Sequence, residues 1–208
     1  MNPVQQFRFK QADLGVFNSN AKEVTDLLIK DCRLMGLTRG KFSLIDLIHE
    51  IIKKIGKSDI ICCTWSAGIK DANQVKWMLD SDLINSFTLV TDHSYATRQQ
   101  KYALAIEDLF GKENIRTSEI HAKFVLISND DWKICIRTSM NLNANKTTET
   151  YELDDDKEIY DFYYNFIAHT FENMNGGFEP KSWKVNACVN DFFTKNEIEK
   201  DFSFWSNE

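Results

Sequence analysis

The chain has 208 residues, of which 43% are hydrophobic and 12% aromatic, a composition typical of globular proteins and unlike that of disordered ones. No run approaches the ~20 apolar residues of a membrane span. The first residues lack a basic region followed by an apolar one, so we expect no secretion signal. Five cysteines without a CxxC pair or zinc spacing indicate reduced thiols, and we expect a cytoplasmic protein.

The net charge of −6 is unevenly distributed along the chain. Residues 1–147 contain 20 Lys and Arg against 17 Asp and Glu, whereas residues 148–208 contain 5 against 14. The overall acidity argues against indiscriminate nucleic-acid binding, because phosphate backbones repel acidic surfaces. The first 147 residues are mildly basic, however, and they contain most of the candidate site described below.

In chain order, the pattern of apolar residues predicts strands that alternate with helices. Helices are expected over residues 21–34, 44–55, 71–79, 94–110 and 155–171. Strands are expected over residues 59–65, 86–91, 115–119, 120–127, 132–138 and 150–153. The clearest helix begins after Ser43 as N-cap, contains one apolar stripe and ends at Gly56. The last helix is expected to bury Ile159, Phe162, Tyr163, Phe166 and Ile167. Together the elements predict an α/β sandwich with a mixed sheet flanked by helices.

A turn at residues 128–131 separates the two strands of a predicted hairpin. If Asp130 is the centre of that hairpin, His121 lies opposite Ser139. His121 and Lys123 are two residues apart and would share one face of the strand. A nucleophile, a cation and a polar side chain would then meet, which is a plausible anion-binding site.

The residues His121-x-Lys123, Ser139-x-Asn141 and Glu152 resemble the signature of the phospholipase D superfamily. That signature is HxK, four residues, Asp, then Gly-Ser-x-Asn, with a Glu eleven residues after the Asn. Segments CCTWSAG at 62–68 and FTLVTD at 87–92 are similar to the family's first two strands. This chain departs from the pattern at two positions, with Ser128 in place of Asp and Thr138 in place of Gly.

The resemblance covers residues 56–170 and implies a phospholipase D-like α-β-α sandwich. We expect three parts: a helical N-terminal extension over 1–55 packed on the core, the phospholipase D-like domain over 56–172, and an acidic C-terminal extension over 173–208. The likeness suggests a bacterial or phage origin. It also implies a phosphodiesterase that uses neither a metal nor another cofactor.

The resemblance also implies a role for each residue of the site. His121 would attack phosphorus to form a phosphohistidine, while Lys123, Ser139 and Asn141 would bind the non-bridging oxygens. Glu152 would accept the proton on the other ring nitrogen of His121. Family members with a single HxK motif work as homodimers, so the second catalytic histidine is expected to be His121 of a partner chain.

The expected substrate is nucleic acid, either DNA or RNA. Trp65 would stack on a base and Arg98 would contact phosphate, with Ser66 and His93 at the rim of the pocket. His93 is also a rival proton donor, because it follows a strand whose end approaches the site. Two other functions stay open, namely a catalytically degenerate nucleic-acid-binding protein and a phospholipid hydrolase.

Overall fold

One mixed β-sheet forms the centre of the molecule. The computed structural model describes residues 12–14, 20–144, 146–178 and 183–196. The strands in these ranges are β1 (Ala12–Leu14), β2 (Arg33–Leu37), β3 (Ser58–Thr64), β4 (Ile84–Asp92), β5 (Ile115–Ser118), β6 (Phe124–Ser128), β7 (Lys133–Thr138) and β8 (Thr150–Asp155). Their order in the sheet is β1-β2-β8-β7-β6-β3-β4-β5. Strands β3, β4 and β5 are parallel, and β6, β7, β8 and β2 continue the sheet in antiparallel pairs.

Helices cover both faces of the sheet. They are α1 (Ala21–Asp26), α2 (Leu44–Ile55), α3 (Ile69–Asp80), α4 (Tyr95–Arg98), α5 (Gln100–Phe110), α6 (Lys157–Asn173) and α7 (Trp183–Asn196). Alternating side chains of a strand point to opposite faces, and β6 shows the consequence. Val125 and Ile127 join the core under α1, α2, α3 and α5, whereas Phe124 and Leu126 join the core under α6. The predicted mixed sheet flanked by helices is therefore confirmed.

Helix α2 forms as its sequence predicts. Ser43 and Asp46 make a capping box, in which the Ser43 hydroxyl accepts the Asp46 N–H and the Asp46 carboxylate accepts the Ser43 N–H at 2.8 Å. Gly56 ends the helix with φ of 88°, a left-handed conformation that glycine adopts without strain. The apolar stripe of α2 is buried in the larger core.

The predicted helix over residues 21–34 is wrong in its second half. Helix α1 ends at Asp26, and residues 33–37 form strand β2. Strand β2 pairs with β8 in the register Arg33↔Asp154 and Leu37↔Thr150. This pairing joins segments more than 100 residues apart, so the helical pattern of the local sequence is overridden by tertiary structure. Residues 20–55 thus add two helices and a strand to the same sheet and core, and the expected division of the chain at residues 55 and 172 stays a prediction.

Two further helix predictions differ in detail from the structure. The predicted helix over residues 94–110 is interrupted at Gln99, whose φ and ψ of −136° and 48° are not helical, and so consists of α4 and α5. Phe162 was expected on the buried face of α6, but 65% of its surface is exposed, and Tyr160 is buried instead. Helix α7 was not predicted, and its Phe192 packs on Phe166 of α6 with ring centroids 5.3 Å apart.

All five cysteines carry free thiols and are buried. Burial raises the pKa of Cys62 and of Cys135 to about 12, so these thiols stay protonated at neutral pH. None of the helices within the described ranges is long and apolar enough to cross a bilayer.

The hairpin of β6 and β7 is shifted by one residue from the predicted register. Phe124 pairs with Arg137 and Ser128 with Lys133, and the Asn129 N–H donates to the Trp132 carbonyl at 3.2 Å, so the loop consists of Asp130 and Asp131. Asn129 sets this loop, because its side-chain oxygen accepts the N–H groups of Asp131 at 3.0 Å and Trp132 at 2.9 Å. The prediction that His121 lies opposite Ser139 is therefore wrong, and in the observed register Lys123 lies beside Thr138, whose N–H donates to the Lys123 carbonyl.

Candidate functional site

The candidate residues meet at one end of the sheet. Strands β3, β4, β5 and β7 finish there, and β6 and β8 begin there. The loops after parallel strands are the usual position of ligand sites in open α/β sheets. The residues that precede β6 and those that follow β3 and β7 are therefore neighbours.

His121 and Lys123 precede β6 and contact one another. The Lys123 ammonium donates to the backbone carbonyl of His121 at 2.8 Å and lies 3.1 Å from its ring atom Nδ1. An ammonium only donates, so Nδ1 is the acceptor and the neutral imidazole holds its proton on Nε2. His121 is exposed and Lys123 is partly buried. The imidazole therefore faces solvent, while the Lys123 ammonium is held by its hydrogen bond to the His121 carbonyl.

Burial lowers the pKa of Lys123 from its ordinary value. The nearby carboxylate of Glu149 acts in the opposite direction, because a negative charge favours the ammonium form. Glu149 therefore favours the charged form of Lys123.

Ser139 is held by the loop that returns to β8. Its hydroxyl donates to one carboxylate oxygen of Glu149 and accepts the Thr150 N–H at 2.9 Å. The other carboxylate oxygen of Glu149 accepts the Thr147 hydroxyl at 3.1 Å. Because Glu149 also influences Lys123, it links the Ser139 segment to the His121 segment.

Asn141 is fixed by a buried threonine at the end of β3. The Thr64 hydroxyl lies 3.2 Å from Oδ1 of Asn141 and 2.9 Å from the Ser66 carbonyl, and it accepts the N–H of Leu142 at 3.2 Å. The two loops are further joined by the Gly68 N–H, which donates to the Leu142 carbonyl at 2.7 Å. Asn141 therefore lies against the β3 loop rather than in an independent turn.

Ser66 and Trp65 belong to this same β3 loop. The Ser66 hydroxyl accepts a hydrogen bond from the Asn143 side chain at 3.3 Å. The ring of Trp65 lies 5.4 Å from the ring of His121, centroid to centroid. Its other neighbour is Arg98, whose guanidinium carbon lies 3.7 Å from the indole centroid. Trp65 thus contacts both a cation and the imidazole.

Glu152 lies in a network of ion pairs on the strands behind these loops. Its Oε1 is 2.7 Å from the Arg137 guanidinium and 3.4 Å from Nε of Arg33. Both arginines also contact Asp154, which is fully buried. Within the described ranges, Glu152 is thus ion-paired with two arginines, and the ammonium that contacts the His121 ring is that of Lys123.

His93 lies at the end of β4, two strands away from β6. Its backbone N–H donates to the Ser118 carbonyl at 3.0 Å, and its Nδ1 lies 3.6 Å from the Asp92 carboxylate. Among the described residues, these contacts join His93 to β5 and to Asp92, and none of them joins it to His121.

Three residues of this region escaped the sequence analysis. Glu149 lies in a polar stretch without periodicity, and Thr64 resembles any buried strand residue. Tyr95 is fully buried, and its hydroxyl donates to the Ala67 carbonyl at 2.6 Å, which joins α4 to the β3 loop. In the sequence, only the hydroxyl-rich segment around residues 147–150 points to a polar loop here. That pattern does not indicate whether Glu149 or Glu152 contacts the site. Within the described ranges, no three His, Cys, Asp or Glu side chains are arranged to hold a metal ion.

Comparison with known proteins bears on the fold. No protein-family model matches the chain, and none of the curated proteins compared with it matches its sequence. Among solved structures, polyphosphate kinase from Porphyromonas gingivalis is similar with a TM-score of 0.51 and 11% identity, over 78% of this chain and 30% of the kinase. NucT from Helicobacter pylori has a TM-score of 0.49 and 16% identity, over 69% of this chain and 99% of NucT. Nuc from Salmonella typhimurium, a phospholipase D family member, has a TM-score of 0.48 and 11% identity, over 69% of this chain and 96% of Nuc.

At these identities the likeness concerns the fold alone. The mixed α/β sandwich predicted from the sequence is confirmed, and the matched part of the kinase shares this fold. The activity, substrate and assembly of each similar protein are properties of that protein.

Proposed function

We propose that this protein is a metal-independent phosphodiesterase, a nuclease that cleaves DNA or RNA through a phosphohistidine at a homodimer interface. The observation that carries the proposal is the contact between the Lys123 ammonium and the exposed imidazole of His121 at the end of the sheet. Ser139 and Asn141 supply further polar groups around that pair. A nucleophile beside a fixed cation suits the displacement at a phosphorus atom, whose oxygens carry the charge of the transition state.

In the proposed reaction, the phosphate and the imidazole compete for Lys123. A charged phosphate oxygen binds an ammonium more strongly than a neutral ring nitrogen does. Once Lys123 turns to the phosphate, Nδ1 of His121 is free to take the ring proton, and Nε2 attacks phosphorus. The phosphorus–oxygen bond to the leaving group breaks, and water later cleaves the phosphohistidine.

Two carboxylates are candidates for stabilising the imidazolium of His121. Glu152 has the expected spacing, and it would have to exchange Arg137 for the imidazole. Glu149 is already coupled to Lys123 and bonded to Ser139. Separate substitution of each carboxylate distinguishes them, as described in the Discussion.

The leaving oxygen needs a proton, and one histidine cannot attack phosphorus and protonate the leaving group in one step. His121 of a second chain would supply that proton, which makes the site complete only in a homodimer. The exposure of His121 is consistent with a partner approaching it.

The first experiment is cleavage of labelled DNA and RNA by wild-type protein and by His121→Ala. We expect His121→Ala to abolish cleavage with unchanged circular dichroism, and EDTA to leave wild-type activity intact. His49→Gln is the matched control, because His49 lies on α2 against Trp77. Retained cleavage in pure His121→Ala, or loss of activity with EDTA, would contradict the mechanism.

The second experiment tests the dimer. Wild-type and His121→Ala chains are mixed in equal amounts, unfolded together and refolded. If both histidines are needed, only dimers of two wild-type chains are active. These are about a quarter of all dimers, so the activity falls to about a quarter of that of wild-type protein at the same total concentration. A fall to about half means that each chain acts alone and removes the shared site.

A second candidate function is nucleic-acid binding without cleavage. This candidate is favoured by the contact of Nδ1 of His121 with Lys123 rather than with a carboxylate. Lys123 holds the ring in the tautomer with a protonated Nε2, and a protonated nitrogen does not attack phosphorus. Salt-sensitive binding of DNA or RNA without cleavage would support it. Hydrolysis of phosphatidylcholine vesicles without cleavage of nucleic acid would instead identify a phospholipid hydrolase.

A further inference from the structure

We propose that Arg98, held against Trp65, binds the phosphate next to the scissile one, so that the protein acts on a polynucleotide strand rather than on an isolated phosphodiester. This inference rests on the proposed function and assigns its substrate class. It begins with the interruption of the helix at Gln99, which separates the short helix α4 from α5.

Several contacts fix α4 on the β3 loop. The buried Tyr95 hydroxyl donates to the Ala67 carbonyl, and a guanidinium nitrogen of Arg98 donates to the Trp65 carbonyl at 3.3 Å. Nε of Arg98 also donates to the Ser94 hydroxyl at 3.0 Å, and Asp92 accepts that hydroxyl. The guanidinium therefore has a defined position on an exposed surface, which reduces the ordering cost of binding an anion there.

The guanidinium of Arg98 keeps donors for a ligand. Of its five N–H groups, the contacts with Ser94 and Trp65 use two, which leaves about three directed elsewhere. Within the described part of the chain, no carboxylate lies at ion-pair distance from Arg98, and the side chain is exposed. An unneutralised arginine with free N–H groups is suited to bidentate binding of phosphate.

The position of Arg98 relative to His121 identifies which phosphate it binds. Trp65 contacts both side chains, since the guanidinium carbon lies 3.7 Å and the imidazole centroid 5.4 Å from the centre of its ring, so the two groups are at most about 9 Å apart. Lys123, Ser139 and Asn141 are the partners proposed for the phosphate at His121, and Arg98 is near enough for the next phosphate of the same strand. A phosphatidyl substrate has a single phosphodiester and leaves Arg98 without a partner.

The same geometry changes the expected role of Trp65. Arg98 covers the indole at 3.7 Å, so a base does not stack on that face unless the guanidinium leaves it. In the proposed arrangement Trp65 supports Arg98 through the cation–π contact. Base stacking on Trp65 is then the competing outcome of the test.

The test compares wild-type protein with Arg98→Gln, Arg98→Lys and the control Lys101→Gln. Lys101 is exposed on α5, so its variant removes the same charge from the surface nearby. Each protein is assayed on a 12-nucleotide single strand and on bis(p-nitrophenyl) phosphate, which has no neighbouring phosphate. Binding of the 12-mer is measured separately by fluorescence anisotropy between 50 and 300 mM salt.

We expect Arg98→Gln to lower the ratio of kcat/KM for the 12-mer to kcat/KM for the small substrate by about tenfold, mainly through KM. The slope of log Kd against log salt should fall by about one in Arg98→Gln and stay unchanged in Lys101→Gln. Arg98→Lys should keep the salt slope and recover only part of the ratio of the two kcat/KM values. An ammonium carries the same charge but cannot donate two parallel hydrogen bonds to phosphate as a guanidinium does.

Three outcomes would overturn the inference. Equal losses on both substrates would show that Arg98 acts on His121 through Trp65. Tighter binding of the 12-mer by Arg98→Gln would show that a base stacks on the uncovered indole. An unchanged salt slope would show that Arg98 contacts no phosphate. This binding measurement does not depend on cleavage. If the wild-type protein cleaves neither substrate, the proposed function fails, but the inference about Arg98 is still tested.

Discussion

Thr64→Val tests whether the β3 threonine positions Asn141. Thr64 and Thr91 are paired neighbours on β3 and β4, and both are fully buried. The Thr64 hydroxyl bonds to the loop that contains Asn141 and Leu142, whereas the Thr91 hydroxyl has no hydrogen-bond partner within the described residues. Valine keeps the shape of threonine, so the two substitutions differ mainly in the hydrogen bonds that they remove.

The expected magnitude follows from the buried N–H of Leu142, a residue with 0% exposure. Leaving a buried donor without its acceptor costs about 1–3 kcal/mol in the free energy of unfolding. A loss of about 2 kcal/mol lowers Tm by about 4–8 °C in a protein of this size. Thr91→Val removes a hydroxyl without depriving a protein group of its partner, so its effect should stay within about 0.5 kcal/mol or be stabilising.

The assay is urea unfolding of wild-type protein, Thr64→Val, Thr64→Ser and Thr91→Val, together with cleavage of the 12-nucleotide substrate. Thr64→Ser keeps the hydroxyl, so it should restore much of the stability and the activity lost in Thr64→Val. Equal destabilisation by Thr64→Val and Thr91→Val would refute the reasoning, because burial alone would then explain both. Full activity of Thr64→Val would show that Asn141 needs no support from β3.

Two further predictions concern pH. In Glu149→Gln, loss of the carboxylate lowers the pKa of Lys123 further, so the alkaline limb of activity moves to lower pH; an equal movement in Glu152→Gln would contradict this assignment. Burial raises the pKa of Asp71 to about 6. Above that pH the buried carboxylate is ionised, which lowers the stability of the folded state. This cost disappears as the pH falls towards 4 and the carboxyl becomes protonated. Asp71→Asn should therefore raise stability by up to about 3 kcal/mol at pH 8, measured by urea unfolding, and by much less at pH 4.5.

The fold was predictable where local pattern and tertiary structure agree. Helix α2 has a cap, one apolar stripe and a terminal glycine, and the structure reproduces all three. Strand β2 could not be identified locally, because its partner β8 lies more than 100 residues further along the chain. The hairpin register depended on one side chain, since Asn129 selects a two-residue loop.

The site was predictable to a different extent. The HxK and Ser-x-Asn motifs identified side chains that do lie at one end of the sheet. His121 and Lys123 are in contact, but both precede β6 rather than sharing one face of a strand as the spacing predicted. Ser139 is bonded to Glu149, because the loop turns back on Ser139 before β8 begins, whereas Glu152, which was expected at the His121 ring, pairs with Arg137. The support of Arg98 by Trp65 depends on the helix interruption at Gln99, which the apolar pattern of residues 94–110 conceals.

The two departures from the family motif have structural partners in this chain. Ser128 accepts the buried Tyr160 hydroxyl at 2.9 Å, which joins α6 to the hairpin. Thr138 donates its hydroxyl to the Thr150 carbonyl and accepts the N–H of Met140 at 3.0 Å, so a side chain shapes the entry to the Ser139 loop where the family has glycine. An aspartate at 128 would have to be buried with one hydroxyl as partner, and a glycine at 138 would lack both bonds. The side chains at both departures therefore bond to the two sides of the site and leave the contact between His121 and Lys123 intact.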